Sequence, residues 1–413
     1  MSSRLPAGLE DLPTPAYVYD LDQVDHAYAL LRQALPTPST LYYSLKANPH
    51  PAIVGALRQA GCRAEVCSPG ELRVALDAGH SPDEILYTGP GKRDVDVADA
   101  MRHGVTWFSV DSPHGIDQLD RIAGAVGVGA RFLLRVNDST PVPGQGLTMT
   151  GVPSQFGADA EWILAEPTRF GSRDAATLAG FHLYMGSNLT DEDALVAQFG
   201  QAAATARKLA DACGTEARVL DLGGGFGAPF ARAGDLPTFP TLAERLADLL
   251  DTAFPGWGAE TPEVAFESGR YLVATAGRLL TRVLDAKRSH GSPVLVLESG
   301  INHLGGMSGL RRLPPMIPHL HPTDDDRGEV SGTIVAGPLC TPLDTWARGV
   351  TATDARPGDL LVVPNVGAYG LAASLVAFLG HPLPAEVIVR NGQISDISTL
   401  TLRRAHVPDL DRE

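Results

Sequence analysis

The sequence predicts an α/β protein in which a (β/α)8 barrel of the TIM type precedes a second, mainly antiparallel β domain. Eight short β-type runs lie between residues 40 and 268, and Ala/Leu-rich segments of helical period separate most of them. After Gly277, β-type runs follow one another between Gly, Pro and Asp turns, which is typical of an antiparallel sheet. We expect the barrel over 25–276 and the second domain over 1–24 together with 277–413.

Length, composition and charge exclude several classes of protein. A chain of 413 residues is too long for one ordinary core, and its hydrophobic (44%) and charged (20%) fractions are typical of soluble globular proteins. The net charge of −15 argues against nucleic acid or an anionic membrane as a partner. Four cysteines without CxxC or zinc-site spacing favour reduced thiols and a cytoplasmic location, and no metal site is expected. The N-terminus lacks the apolar stretch of a signal peptide.

The barrel prediction rests on individual strands and helices. Helical patterns fall at 51–60, 70–78, 194–213 and 242–253. The expected barrel strands are 40–46, 63–67, 84–88, 105–110, 131–136, 178–184, 217–222 and 263–267. The connection at 137–158 is rich in Pro, Gly, Ser and Thr, which is typical of a lid or a contact surface.

The second domain is predicted from shorter runs. Its strands are expected at 293–297, 332–335, 359–363 and 386–389, and the early run 16–19 could pair with them. The most apolar window, 366–380, falls short of the roughly 20 residues that span a bilayer. It is therefore expected to form a buried core helix, centred on 368–379.

Chemically distinctive residues follow four of the predicted barrel strands. Lys46 ends the first strand before an Asn-Pro break, His182 follows the sixth, the glycine loop 223–227 the seventh, and Glu267 the eighth. Because the carboxyl ends of barrel strands meet on one face, these residues are expected to lie together. A lysine that points into a pocket can act as a nucleophile, and glycines let backbone N–H groups approach a phosphate.

Each of these residues also has a structural explanation. An isolated lysine is usually solvated, and a histidine among apolar neighbours is often a satisfied core residue. A glycine-rich strand end is frequently only a tight turn, and Arg270 could neutralise a buried Glu267. Their shared position at strand ends favours the functional interpretation. Together, a lysine, a phosphate cradle, an imidazole and a carboxylate suit pyridoxal phosphate.

At 15–390 the sequence resembles the fold-type III pyridoxal-phosphate decarboxylases, the group of diaminopimelate, ornithine and arginine decarboxylases. Residues 43–48 resemble the motif Y-x-x-K-A-N of this group, and 65–72 its second-strand signature. The segment from His182 to Ser187 resembles H-x-G-S with two extra residues. Further similar segments are 221–227, 267–271, 337–344 (G-P-x-C) and 367–370 (G-A-Y). The resemblance implies an alanine-racemase-like barrel with a β domain.

The resemblance implies a role for each matched residue. Lys46 would carry the cofactor as a Schiff base, and His182 would stack on its ring. Glu267 would bind the pyridine nitrogen. Tyr369 would contact the cofactor. Cys340 would be donated across a homodimer interface to help protonate the product. The remaining matched residues would lie at the phosphate: Ser187, Gly224, Gly225, Gly269 and Arg270.

The substrate is where the sequence departs from the group. Thr341 follows the motif cysteine, where diaminopimelate and ornithine decarboxylases carry a carboxylate that receives the distal amine of the substrate. Asp344 is a weaker candidate for substrate contact. The usual S-K-F-G also reads S-Q-F-G at 154–157, so a lysine near the dimer contact is missing. These features are similar to those of secondary-metabolite and siderophore enzymes, some of which act on conjugates.

We therefore expect decarboxylation of an amino acid or an amino-acid conjugate, including one tethered to a carrier protein, by an obligate dimer with shared active sites. The first alternative is a diaminopimelate, ornithine or lysine decarboxylase acting on the free amino acid. A racemase is a second alternative, disfavoured by Glu267 because racemisation suits a cationic partner at the ring nitrogen. A non-catalytic regulator is a third, disfavoured because both Lys46 and Cys340 are present.

Overall fold

The computed structural model describes residues 12–140, 150–259, 261–305, 317–323 and 328–404. The chain divides into two compact units. The barrel unit comprises the described residues of 21–229 and 234–275, and the β unit comprises those of 1–20, 230–233 and 276–413.

The elements alternate in the first unit and are almost all strands in the second. The α-helices are α1 (Leu21–Gln33), α2 (Pro51–Ala60), α3 (Pro69–Asp77), α4 (Asp94–Arg102), α5 (Pro113–Val126), α6 (Ala160–Ala165), α7 (Glu192–Cys213), α8 (Leu242–Ala253) and α9 (Arg270–Val273). The strands are β1 (Ala16–Asp20), β2 (Thr40–Ser44), β3 (Arg63–Val66), β4 (Ile85–Tyr87), β5 (Trp107–Val110), β6 (Ala130–Asn137), β7 (Ala158–Asp159), β8 (Ala176–Leu183), β9 (Val219–Asp221), β10 (Glu263–Ser268), β11 (Gly277–Ser289), β12 (Ser292–Leu297), β13 (His321–Pro322), β14 (Glu329–Ala336), β15 (Thr345–Thr353), β16 (Leu360–Val363), β17 (Ala385–Arg390) and β18 (Gln393–Thr399).

Eight parallel strands close the barrel. The ring runs β2–β3–β4–β5–β6–β8–β9–β10 and returns to β2, with β7 as a short addition beside β6. All eight predicted barrel strands are confirmed, with shifts of one or two residues at their ends. The four predicted helices are also confirmed, and local signals explain their starts. Ser68, for example, accepts a hydrogen bond from the Glu71 N–H at the start of α3, whose first residue is Pro69.

The barrel interior is layered. Apolar side chains from six strands pack together inside it, with Trp107 against them: Tyr42, Leu86, Leu133, Ala179, Val219 and Ala265. Alternate residues of a strand face the same side of the sheet, so the residues two positions beyond these apolar ones also point inward. A residue that pairs in register with an inward-facing residue of a neighbouring strand points inward as well. Those residues are polar and form a second layer at the carboxyl ends of the strands: Ser44, Glu65, Thr88, Ser109, Arg135, His182, Asp221 and Glu267.

The β unit is built on one long sheet. Its order is β15–β14–β12–β11–β1–β17–β18, and β16 pairs with β11 and β13. The early strand β1 pairs antiparallel with β11 and parallel with β17, so the predicted pairing of this run is confirmed. The mainly antiparallel character is confirmed as well. Buried side chains from both ends of this unit form its core: Leu12, Ala16, Val18, Leu280, Leu360, Val362, Val387 and Val389.

The predicted core helix at 366–380 is wrong. This segment contains only two short 3₁₀ turns, Leu371–Ala373 and Phe378–Gly380. Positive φ angles at Tyr369 (55°) and Leu379 (58°) interrupt any helix, and Leu375 and Phe378 are exposed. Glycines within the run weaken its helical propensity, so apolar content alone was misleading here.

Two further features concern connections. In the segment 137–158, residues 141–149 lie outside the described part of the chain, so the lid prediction stays a prediction. Among the described helices, none is long and apolar enough to cross a membrane.

Candidate active site

Lys46 lies just beyond the first barrel strand and not at its end as predicted. Strand β2 ends at Ser44, and Lys46 occupies the 3₁₀ turn Leu45–Ala47 that follows. Its side chain is 40% exposed, and its Nζ lies 3.2 Å from Oε2 of Glu65 on the neighbouring strand β3. The lysine is therefore ion-paired and partly exposed at the barrel mouth.

Glu65 is a buried carboxylate that the sequence analysis did not assign. It receives hydrogen bonds from Lys46 and from the Thr88 hydroxyl. Burial would raise the pKa of Glu65, but the Lys46 charge and hydrogen bonds from Ser44, Thr88 and Lys46 hold it below its ordinary value. Glu65 therefore stays ionised and holds the lysine amine over the barrel mouth.

His182 is buried and only half satisfied. Its Nδ1 lies 2.8 Å from the Ser109 hydroxyl, whereas its Nε2 has no hydrogen-bond partner and lies 3.3 Å from Oε1 of Glu267. Burial lowers the pKa of His182 far below its usual value, and the charges of Arg135, Lys46 and Lys92 lower it further. The imidazole is therefore neutral and presents an uncommitted nitrogen.

Glu267 and Asp221 form a buried carboxyl pair beside that histidine. The ligand atoms of His182, Asp221 and Glu267 lie within 4.8 Å of one another. Burial raises the pKa of Glu267 well above its usual value, and the charges of Glu65 and Asp221 add to this effect. Burial also raises the pKa of Asp221. Because two adjacent buried carboxylates resist double ionisation, the pair retains a proton at neutral pH.

This raised pKa predicts a pH-dependent stability in the cofactor-free protein. A carboxyl whose pKa is raised by folding stabilises the fold below its unfolded pKa, about 4.3, and this contribution is lost as pH rises through the folded pKa. The neutral amide of Glu267→Gln avoids that loss. Its Tm should therefore exceed that of the wild type by a margin that widens between pH 5 and pH 8. Calorimetric scans with Glu263→Gln as a control on the same strand check this, and a margin independent of pH would contradict it.

The glycine loop after β9 is held by its carbonyl groups. The Gly223, Gly224 and Gly225 carbonyls accept from the Glu267 N–H, the Gln198 side chain and the Leu189 N–H, respectively. The N–H groups of residues 224, 225 and 226 have no partner within the described ranges. A Cβ on Gly224 would overlap the Glu267 carbonyl oxygen, and Gly225 has a φ of 115°, so side chains are excluded at both positions. This row of unpaired N–H groups is a cradle for an oxyanion.

Other predicted phosphate residues lie in neighbouring loops. Gly269 follows β10, and a Cβ there would crowd Ala47, so the β10 turn packs directly on the Lys46 turn. Arg270 begins α9. Ser187 lies in the loop after β8, which pairs with the glycine loop through a bridge between Leu189 and Phe226. The barrel unit thus brings every predicted barrel residue to its carboxyl face.

The described residues fit pyridoxal phosphate. The unpaired N–H groups at 224–226 suit its phosphate. The orphaned Oε1 of Glu267 is a buried acceptor suited to a protonated ring nitrogen, and the neutral, planar imidazole of His182 is a group that can stack on an aromatic ring. The amine of Lys46 is the nucleophile that an aldehyde requires.

Four predicted residues lie in the β unit. Cys340 is exposed, and Thr341 accepts a hydrogen bond from the Leu343 N–H at 3.3 Å. Asp344 is buried. Tyr369 adopts a left-handed backbone conformation, φ 55°, a strained geometry often found at functional sites.

Asp344 has a structural task. Its Oδ1 accepts from the N–H of Ile301, and its Oδ2 accepts from that of Leu339, both at 2.8 Å. The carboxylate therefore fastens the loop 337–344 to the turn after β12. A contact between Asp344 and substrate stays a prediction.

Glu65, Asp221, Ser109 and Arg135 were not assigned from the sequence. The sequence did contain a signal for Glu65, Ser109 and Arg135, because each is a polar residue inside a β-type run whose other residues are mostly buried. Glu65 and Asp221 begin segments that resemble motifs of the family, 65–72 and 221–227, but neither residue was given a role there. Register was needed to show that these side chains all point inward.

Comparison with known proteins agrees with this geometry. Residues 21–274 match the family model described as the pyridoxal-binding domain of pyridoxal-dependent decarboxylases. The chain is 33% identical to L-glutamyl-[BtrI acyl-carrier protein] decarboxylase of Niallia circulans, covering 92% of this chain and 89% of that one. It is 31% identical to 2-[(L-alanin-3-ylcarbamoyl)methyl]-2-hydroxybutanedioate decarboxylase of Staphylococcus aureus, covering 90% and 93%.

A solved structure shows the same architecture. The crystal structure of diaminopimelate decarboxylase from Helicobacter pylori, complexed with L-lysine, superposes with a TM-score of 0.80 at 25% identity, covering 94% of this chain and 93% of that one. The barrel, its ring of polar side chains and these likenesses together show that the chain belongs to the fold-type III pyridoxal-phosphate-dependent amino-acid decarboxylases.

Proposed function

We propose that this decarboxylase acts on an amino acid whose far end is masked by a carrier protein or by another acid. The observation that carries the proposal is the loop 337–344, where Thr341 replaces the substrate-binding carboxylate and the only carboxylate, Asp344, is bound to two backbone N–H groups. Two relatives support it, since their names describe a glutamyl group on a carrier protein and an alanine unit joined to a hydroxy acid.

The barrel residues divide the chemistry among themselves. Bound pyridoxal phosphate supplies an electron sink for the charge left when CO2 departs. Glu267 would keep a proton at the ring nitrogen, and neutral His182 would pack against the ring. Lys46 supplies the amine, which Glu65 holds at the barrel mouth. Cys340 is proposed to donate a proton to the product.

The substrate prediction is tested by comparing specificity. We expect kcat/KM for free ornithine, lysine or diaminopimelate to be about 10³-fold below that for a masked aminoacyl conjugate, since a distal ammonium without a counter-charge is costly to bury. Glutamyl carrier protein and a glutamyl amide are the conjugates to measure, with free glutamate as the control. Efficient turnover of free diaminopimelate or ornithine would overturn the substrate assignment and leave the decarboxylase activity intact.

We also propose a homodimer that shares its active sites. The support is the location of two residues with assigned roles. Lys46 lies in the barrel unit, and Cys340 lies in the β unit, where its thiol is exposed. Inactive Lys46→Ala and Cys340→Ala proteins, mixed under subunit exchange, should form heterodimers with one intact site and recover part of the activity. If labelled subunits exchange and no activity returns, each site is built within one chain.

A further inference from the structure

Arg135 is an inward-facing member of the polar layer. It lies two residues beyond Leu133, which packs in the apolar layer, and it pairs in register with His182 on the adjacent strand. Only 8% of the residue is exposed. Strand β6 therefore holds a nearly buried cation at the carboxyl face of the barrel.

The guanidinium of Arg135 has no ionic or hydrogen-bonding partner among the described residues. The guanidinium lies over the ring of Phe156, whose centroid is 4.7 Å from Cζ. The backbone next to Phe156 is held in place, because the Gly157 N–H donates a hydrogen bond to Oδ1 of Asp111 at 2.8 Å. The half-buried Arg32, by contrast, donates to Ser39 and to nearby carbonyls. A nearly buried cation that has no such partner among the described residues favours the approach of an anion.

The charge of Arg135 acts on the titratable groups of the candidate active site. It lowers the pKa of His182 and acts in the same direction on Glu267 and Asp221. Lys92, on the other side, is close enough for the same charge to lower its pKa. The charge of Asp111 raises the pKa of Lys92, but Oδ1 of Asp111 already accepts a hydrogen bond from the Gly157 N–H. No carboxylate of the polar layer is therefore paired with Arg135.

We propose that Arg135 receives an oxyanion of the reacting complex inside the barrel. Its planar fork matches a carboxylate or a phenolate oxygen, and stacking on Phe156 leaves the N–H edges free. Two sources carry this chemistry, the carboxylate of the substrate and the ionised ring hydroxyl of the cofactor. The inference deepens the proposed function because it concerns the same site, but it does not depend on how the far end of the substrate is masked.

The two sources have different consequences. An ion pair with the departing carboxylate disappears as CO2 forms, so it would strengthen binding and contribute little to kcat. An ion pair with the ring hydroxyl persists without substrate, and it would favour the ionised ring. The first is detected by ligand affinity and the second by the pH dependence of the cofactor absorbance.

The test compares Arg135→Met and Arg135→Lys with the wild type, all loaded with cofactor, and uses Arg131→Met on the same strand as the control. Calorimetry measures the affinity for hexanoate, a carboxylate without an amine, and for pentylamine, an amine without a carboxylate. A parallel pH titration follows the visible absorbance without added ligand. These probes have no distal group, so failure of the masked-substrate proposal would not affect them.

If the oxyanion is the substrate carboxylate, Arg135→Met should weaken the affinity for hexanoate at least about 10-fold and change the affinity for pentylamine by no more than about 3-fold. Arg135→Lys should then recover part of the hexanoate affinity. A cofactor source predicts that the absorbance midpoint moves upward by about one pH unit or more, because a cation that favours the anion is gone. Either result supports the inference. Unchanged midpoint and hexanoate affinity, or equal weakening of both ligands at an unchanged midpoint, would overturn it. If Arg135→Met does not fold, wild-type values for both quantities in Arg135→Lys would overturn it.

Discussion

Replacing Lys46 with alanine is expected to lower kcat/KM for decarboxylation by at least about 10³-fold, or about 4 kcal/mol of transition-state stabilisation. The reason is that Lys46 supplies the only amine at the end of β2, held at 3.2 Å by Glu65. Lys46→Arg should be as inactive, because guanidinium keeps the charge but is not a nucleophile at neutral pH. Steady-state assays of CO2 release measure both variants.

Lys208→Ala is the matched control, since Lys208 is exposed on α7. It should retain full activity. Substantial turnover by purified Lys46→Arg would mean that the lysine contributes charge alone, and the assigned role would then be wrong.

Glu267→Gln is expected to keep much of the cofactor and to lower kcat by at least about 10²-fold, about 2.7 kcal/mol. The carboxyl of Glu267 is buried and its Oε1 has no hydrogen-bond partner among the described residues, so it can accept from a protonated ring nitrogen. The amide can reach the same place but cannot sustain a charge-assisted contact with a protonated ring. Single-turnover kinetics with saturating cofactor isolate this effect from binding.

Glu263→Gln, on the exposed end of the same strand, should show near wild-type turnover. Wild-type rates in Glu267→Gln at full cofactor occupancy would exclude the proposed role of this carboxyl.

Position along the chain was sufficient to predict part of the site. Lys46 lies just beyond β2, and His182 and Glu267 are the second-to-last residues of β8 and β10. A parallel barrel places all such strand ends on one face. Glu65 and Arg135 also lie near the carboxyl ends of their strands, but neither was given a role. Whether such a residue faces the barrel interior depends on register, which is set by pairing between strands distant in sequence.

The second domain was predicted less completely. Strands β11, β15 and β18 were not predicted. Strand β18 is exposed along its whole length, and β11 and β15 interrupt their apolar residues with polar ones, so none of the three has a continuous apolar signal. The segment 366–380 gave the opposite error. Its apolar residues suggested a helix, yet positive φ at Tyr369 and Leu379 bends the backbone into separate turns. The carboxylate of Asp344 looked available in the sequence, and only the backbone N–H groups around it reveal its structural task.

Trapping the cofactor on the protein tests the central claim most directly. The purified holoenzyme should show the visible absorbance of lysine-bound cofactor, and borohydride reduction followed by peptide mass mapping should place the added mass on the peptide that contains Lys46. The strongest competitor is Lys92, because partial burial lowers its pKa to about 8 and favours its neutral amine. Label on Lys46 in the wild type, and none on any peptide of Lys46→Ala, is the predicted result. Label on Lys92, Lys208 or Lys287 of the wild-type protein would contradict the account.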